Sequence, residues 1–403
     1  MNSLHLAYAA IGILSVLLAL FSNRTRTLPL SEPLVALLLG VALGPLALDL
    51  LPMSVDTRDS LLLEGTRILL AASVMTAALR FPATHLRALV PQFVLLLCVV
   101  MPLAAAVSGA AALLLGLPLA LAAVVGACLC PTDPVLAASV VTGKPAQRDL
   151  PERVRALLTG ESGANDGLAL PLVGIAVAVA LPLTGPGDAV GRILWEVLGG
   201  VALGAVLGAA AGKAMEAATR ERELEEGPSL LFTLLLAVSV LGAARLIGAG
   251  GVLAVFTAGV AYNATVAKGE RTPQQNVDEA VNRYLALPVF VLLGATLPWE
   301  EWVAFGWAAP AFALAVLLLR RPPLAAAFTR PLGLRPRGGA FLGWFGPMGV
   351  SALFYAAHSA HEGVRDPRLF AAVSLAVAAS VVAHGVTSSP FRRLYARAAE
   401  PGS

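Results

Sequence analysis

Charge is scarce in this chain. Asp, Glu, Lys and Arg make up 13% of its 403 residues, about half of the roughly 25% that a soluble domain carries. So little charge cannot cover the surface of a water-soluble globule this long, and the mean hydropathy of +0.80 agrees. Cysteine is nearly absent. Cys98, Cys128 and Cys130 all lie in apolar stretches, which argues against a disulfide framework. Cys128 and Cys130 admit a metal-pair reading, but small packing residues is the favoured one. The formal net charge is only +3. The basic residues are scattered over loops and form no single patch, so nothing points to a nucleic-acid partner.

What is abundant fits lipid. The 28 prolines and 38 glycines would break up a soluble helical protein, whereas membrane bundles tolerate such residues because neighbouring helices satisfy the freed backbone groups. Apolar runs near the ~20 residues of a membrane span fall at about 4–22, 30–51, 61–79, 90–115, 117–141, 155–182, 190–214, 229–247, 250–264, 284–298, 303–321, 338–360 and 368–388. The expected fold class is an all-α polytopic membrane protein of about thirteen spans, occupying residues 1–390, with a short tail at 391–403. The first run lacks a basic flank and a clear cleavage site, so it reads as a retained span rather than a signal peptide.

Basic residues in short loops set orientation. Alternate loops carry Arg24 and Arg26, Arg80 and Arg87, Lys144 to Arg155, Lys213 to Arg222, Lys268 to Arg283, and Arg320 to Arg337. The opposite loops hold only Arg58, Arg192, Arg365 and Arg368. The expectation is an amino terminus outside and a carboxy terminus in the cytoplasm, in the plasma membrane (the inner membrane of a bacterium). Spans one to six (about 4–182) and eight to thirteen (about 229–388) then form two halves of opposite orientation, with span seven (about 190–214) linking them. Each half breaks its fifth span, at Pro131–Pro134 and at Gly346-Pro347-Met348-Gly349. Matched breaks of this kind are the best sequence pointer to a transporter's binding site. Span seven carries Gly200, Gly204, Gly208 and Gly212 on one face, suited to close packing inside the bundle or, less favoured, at a dimer contact.

Two polar strings interrupt the apolar sequence: Pro131-Thr132-Asp133-Pro134, and Glu161-Ser162-Gly163-Ala164-Asn165-Asp166-Gly167. Ionisable groups inside a membrane are costly and mark pathways or sites. On a helix Ser162 and Asp166 share a face, with Asn165 beside them and Glu161 pointing away. Thr132, Asp133, Ser162 and Asp166 could converge as a hard-cation site of oxygen ligands, suited to sodium, where a carboxylate holds proton or cation in turn. Glu161 needs a partner, and Arg320 and Arg321 are the candidates. Glu64 and Arg67 are spaced to pair. Arg245 can snorkel to the interface, and His358 and His384 read as packing or interface histidines rather than pH sensors.

These strings, with Gly343-Trp344-Phe345-Gly346-Pro347-Met348-Gly349-Val350, resemble the monovalent cation:proton antiporters of the NhaP-type sodium/proton exchanger branch, with the last string closest to the fungal plasma-membrane type. The resemblance spans roughly residues 5 to 390. It implies the inverted-repeat antiporter fold, a homodimer, no cofactor beyond the transported sodium and proton, and no enzymatic activity. It also implies cation ligands at Asp166, Asp133, Ser162 and Thr132, with Asn165 and Glu161 in support. Met348 stands where many relatives have arginine, which leaves the span-eleven pair for Glu161, and Arg321, preceding Pro322, fits the family spacing. By analogy the Asn165-Asp166 pair implies one proton per cation. Competing readings are a sodium-coupled solute symporter, an intramembrane aspartyl protease built on Asp133 and Asp166, and a passive channel.

Overall fold

The structure, a computed structural model, describes residues 2–20, 31–80, 83–181, 186–221, 226–266 and 271–399. Arg24, Arg26, Arg222 and Lys268, used above for orientation, lie outside them. All regular elements among the described residues are helices. In chain order, leaving aside the short helices Ala83–Ala88, Trp299–Ala304 and Pro322–Ala327, they are α1 (Asn2–Leu20), α2 (Glu32–Leu43), α3 (Val55–Leu79), α4 (Val90–Leu115), α5 (Leu119–Cys128), α6 (Pro134–Val141), α7 (Gly143–Asp149) and α8 (Glu152–Ala180). Then follow α9 (Pro186–Glu221), α10 (Glu226–Leu246), α11 (Gly251–Thr265), α12 (Arg271–Ala295), α13 (Ala308–Leu319), α14 (Pro336–Trp344), α15 (Val350–His361) and α16 (Pro367–Ala399). Helix lies over each predicted span. Among the described residues, six stretches are long and apolar enough to cross a membrane by themselves. The last helix runs on through Pro390 to Ala399, so the tail begins as a continuation of the final span.

Local sequence explains where the elements start. Ser31 caps α2 by accepting from Leu34 N, and Ser54 caps α3 by accepting from Thr57 N, each satisfying an amide that the first helical turn leaves open. Asp133 followed by Pro134 opens α6 in the same way, proline being pre-set for the first helical position.

Helices in lipid associate through close packing rather than through a hydrophobic drive, so small residues sit where backbones meet. At Gly40 of α2 and Gly294 of α12 any Cβ would strike the facing backbone. The glycine stripe of α9 packs along α11: Gly200 faces Gly250 O, Gly204 faces Ala254 O, and Gly208 faces Ala258 O. Its place is therefore inside this chain, as the favoured reading had it. The two tight pairings, α2 on α12 and α3 on α11, exchange with each other if spans two and three correspond to spans nine and ten. α3 lies at the centre, with 78% of its apolar window buried against 17% for α9. It packs on α8, α11, α12 and α15, and the two breaks meet beside it.

Candidate cation site

The first break runs from the end of α5 to Asp133, and the second from the end of α14 to Gly349. They touch where Asp133 N–H donates to Pro347 O at 2.8 Å. Four half-helix ends thus meet in the interior, each with unsatisfied backbone groups and a partial charge. Two side chains close them. Asp133 Oδ1 accepts from Leu136 N at 2.8 Å, and its Oδ2 accepts from Val350 N and from Ser351 N at 3.3 Å. One carboxylate therefore serves the amide ends of both α6 and α15. Gly349 leaves room for it, because a Cβ there would lie 2.6 Å from Asp133 Oδ2. Arg320, at the end of α13, serves the carbonyl ends. It donates to Leu129 O at 2.7 Å, Pro131 O at 3.2 Å and Cys130 O at 3.3 Å, and also to Gly346 O.

The geometry bears on two expectations. Asp133 was expected among the cation ligands; its oxygens accept from backbone amides, Oδ1 from one and Oδ2 from two, so capping of two helix ends is the role its contacts show. Arg320 was one of two candidates for Glu161, but its guanidinium is used on carbonyls. Arg321 is the partner: its two terminal nitrogens meet the two Glu161 oxygens at 2.5 and 2.6 Å, and Nε donates to Leu342 O at 3.0 Å. Both groups are buried, and the bidentate geometry suits a guanidinium–carboxylate pair.

The remaining expected residues lie along α8 and the first break. Asn165 Nδ2 donates to Thr132 Oγ1 at 2.8 Å, joining the two polar strings. Ser162 Oγ donates to Leu158 O at 2.7 Å and Thr159 O at 3.3 Å, which spends its proton inside its own helix and leaves acceptor capacity on the oxygen. Asp166 is fully buried, and neither carboxylate oxygen has a hydrogen-bond partner. Asn165 Oδ1 is also unpartnered. Asp133 is near enough to act on Asp166 electrostatically.

Two residues near Asp166 escaped the sequence reading. Ser351 Oγ lies beside the Asp166 carboxyl, near enough to act on it as a donor, though no hydrogen bond of full geometry closes between them, and Tyr355 O–H donates to the Asp166 backbone carbonyl. Both stand on α15, one turn apart, just beyond the glycine-proline break. That position was the available signal, because a hydroxyl following a break inside a membrane segment has few innocent uses.

A cavity of about 40 Å³ beside the 247–250 turn is lined by Arg67, Gly167, Glu196, Arg245, Tyr355 and His358 among others. It holds a few waters at most. Arg67 pairs with Glu64 as the spacing suggested, and Arg245 is exposed. His358 stacks on Phe354. His384 is a packing histidine, with Nε2 2.8 Å from Trp344 O and Nδ1 2.8 Å from Ser380 O. Cys128 and Cys130 are buried and free, and among the described residues no cluster of three or more His, Cys, Asp or Glu could hold a metal.

Residues 12–393 match the family model of the transmembrane sodium/hydrogen exchangers. The chain is 33% identical over 375 residues to a Na(+)/H(+) antiporter 2 of Zygosaccharomyces rouxii, covering 87% of this chain and 45% of that one. It is 31% identical over 370 residues to a Na(+)/H(+) antiporter of Saccharomyces cerevisiae, covering 87% and 37%. The chain thus spans less than half the length of these curated relatives. Among solved structures, the sodium proton antiporter MjNhaP1 of Methanocaldococcus jannaschii superposes with a TM-score of 0.71 at 18% identity, covering 98% of this chain and 97% of that one. An electron-microscopy map of the same antiporter gives 0.77.

Proposed function

The chain belongs to the transmembrane sodium/hydrogen exchanger family, and on that premise we propose that it exchanges a monovalent cation, sodium first, for protons by alternating access. The observation that carries this is Asp166, a carboxylate buried where two broken helices cross, with no hydrogen-bond partner on either oxygen. Every other charge at the crossing is matched: Asp133 by amide ends, Arg320 by carbonyl ends, Glu161 by Arg321. Asp166 alone among them lacks a fixed partner, so it is the group free to take a proton or a cation. Thr132, Ser162 and Asn165 supply further oxygens around it, while Glu161 and Arg321 hold α8 against the second break.

By analogy with the family, the Asn165-Asp166 pair points to one proton per cation and an electroneutral cycle, since the Asn165 amide cannot take up a second proton. A gradient of one pH unit is then worth about 1.4 kcal/mol per proton, enough to sustain roughly a tenfold cation gradient. The competing readings find no support. An aspartyl dyad needs both carboxyls free, whereas Asp133 accepts from the amide ends of two helices.

The wider setting belongs to the same proposal. Residues of about 4–182 and 229–388 act as inverted halves, which the exchanging pairings of α2, α12, α3 and α11 support. The amino terminus lies outside and the carboxy terminus inside a plasma membrane, a reading that the excess of basic residues in alternate loops supports. Two copies form a homodimer within the lipid. The test is reconstitution into vesicles with a pH-sensitive dye. Sodium-dependent proton movement should appear with the wild-type chain and fall to background with Asp166→Asn while folded protein is retained. Exchange by Asp166→Asn at wild-type rates overturns the assignment.

A further inference from the structure

Four buried oxygens at the crossing have no hydrogen-bond partner: Oδ1 and Oδ2 of Asp166, Oδ1 of Asn165, and Oγ of Ser351. Native proteins keep few such groups, and each one needs an explanation. Three of them belong to the first half of the chain and to the strings that the sequence singled out. The fourth comes from the second half. We propose that Ser351 Oγ is a ligand of the transported cation, presented by α15 opposite Asp166. The inference rests on cation exchange at Asp166 and adds a residue to that site.

The ordinary use of a buried serine in a helix is a bond to the carbonyl four residues earlier. Ser162 and Ser359 both make it. Ser351 does not, because it is the second residue of α15 and the position four residues back is Pro347, in the break. Its hydroxyl is fully buried beside Asp166, with nothing else to bond.

Its position is fixed on both sides. Ser351 N–H donates to Asp133 Oδ2 at 3.3 Å, and one turn later Tyr355 O–H donates to the Asp166 carbonyl. These contacts tie α15 to the start of α6 at Ser351 and to α8 at Tyr355. A serine hydroxyl carries two acceptor lone pairs and one movable proton. It can therefore present oxygen to a hard cation while Asp166 is ionised, and turn its proton when Asp166 is protonated and no cation is bound. Ligands from both halves also tie affinity to conformation: sliding α15 along α8 withdraws Ser351 and loosens the cation.

The test uses the full chain. Purified protein in detergent is melted in sodium chloride and in choline chloride at equal ionic strength, and sodium activation curves are measured in vesicles. Ser351→Ala should melt in choline at or above the wild-type temperature, since no bond is lost. Its sodium-induced rise in melting temperature should shrink, and its half-saturating sodium concentration should increase roughly tenfold, the effect of losing about 1.4 kcal/mol of ligand interaction. Ser351→Cys, which keeps size and replaces hard oxygen with soft sulfur, should shift preference from sodium toward thallium, and it serves as the test if Ser351→Ala does not fold. Wild-type sodium responses in both variants, with Asp166→Asn inactive alongside, overturn the role of Ser351 alone. Persistent exchange in Asp166→Asn overturns the underlying reading instead.

Discussion

Arg320 and Asp133 divide the crossing between them. The guanidinium holds the carbonyl ends of α5 and α14, and the carboxylate holds the amide ends of α6 and α15. Each neutralises two helix ends at once, so the interruption of two membrane helices is tolerated without water. Neither side chain is then free to travel with an ion.

Asp133→Asn should therefore act on folding. The carboxamide brings an N–H₂ group against backbone N–H donors, and the loss should be about 2–4 kcal/mol, typical of a charged hydrogen-bonded group left half satisfied. The melting temperature in detergent should fall, while the half-saturating sodium concentration of surviving protein changes little. An unchanged melting temperature with raised half-saturation makes Asp133 a cation ligand after all.

Glu161 and Arg321 should behave as one unit. Either Glu161→Gln or Arg321→Gln leaves a buried charge unmatched, at a cost of about 3–5 kcal/mol. The double variant should lose less than the sum of the singles. Thermal melts of the three proteins check this, and strict additivity removes the coupling.

The α9 glycines should matter to the protomer rather than to a dimer. Gly208→Leu drives a side chain into the backbone at Ala258, and overpacking of that kind costs about 1–3 kcal/mol. A lower melting temperature with unchanged oligomeric mass is expected. A changed mass with unchanged melting moves the stripe to a dimer contact.

Asp149, in the connection between α6 and α8, gives the fold an acid limit. Burial disfavours its ionised form, but hydrogen bonds from Arg148 and Arg392 and their charges hold its carboxyl below the usual carboxylate value. The folded value is depressed, so this stabilisation is complete above the unfolded value, near pH 4. It is lost as pH falls through the folded value. Arg392→Gln should lower stability by about 1 kcal/mol at neutral pH, and the difference from wild type should shrink below about pH 4. Melting curves from pH 7 downward measure it.

The sequence made the plan of the molecule legible because lipid penalises polarity so heavily. Thr132, Asp133, Glu161, Asn165 and Asp166 stood out against apolar surroundings, and the matched breaks placed them at a crossing. Arg320 and Arg321 stayed open as partners of Glu161, and the pairing with Arg321 came from the structure. The double capping by Asp133 was only half legible: an aspartate before a proline is a helix start, and the same carboxylate can cap a second helix only if one arrives in space. That second helix, α15, lies more than 200 positions along the chain, and no local pattern announces the meeting. For the same reason the Gly40–Gly294 contact was not legible, and Ser351 and Tyr355 offered only their place beyond the break.

The central claim, that Asp166 holds a proton or a cation at one site, is tested most directly by sodium activation curves in vesicles across about three pH units. Competition at one carboxylate requires each ligand to raise the other's apparent half-saturation. Below the pKa of Asp166 the half-saturating sodium concentration should rise about tenfold per pH unit, because one proton is displaced. Above it the value should level off. A half-saturation independent of pH, with only the maximal rate changing, contradicts the shared site and points to a separate pH sensor.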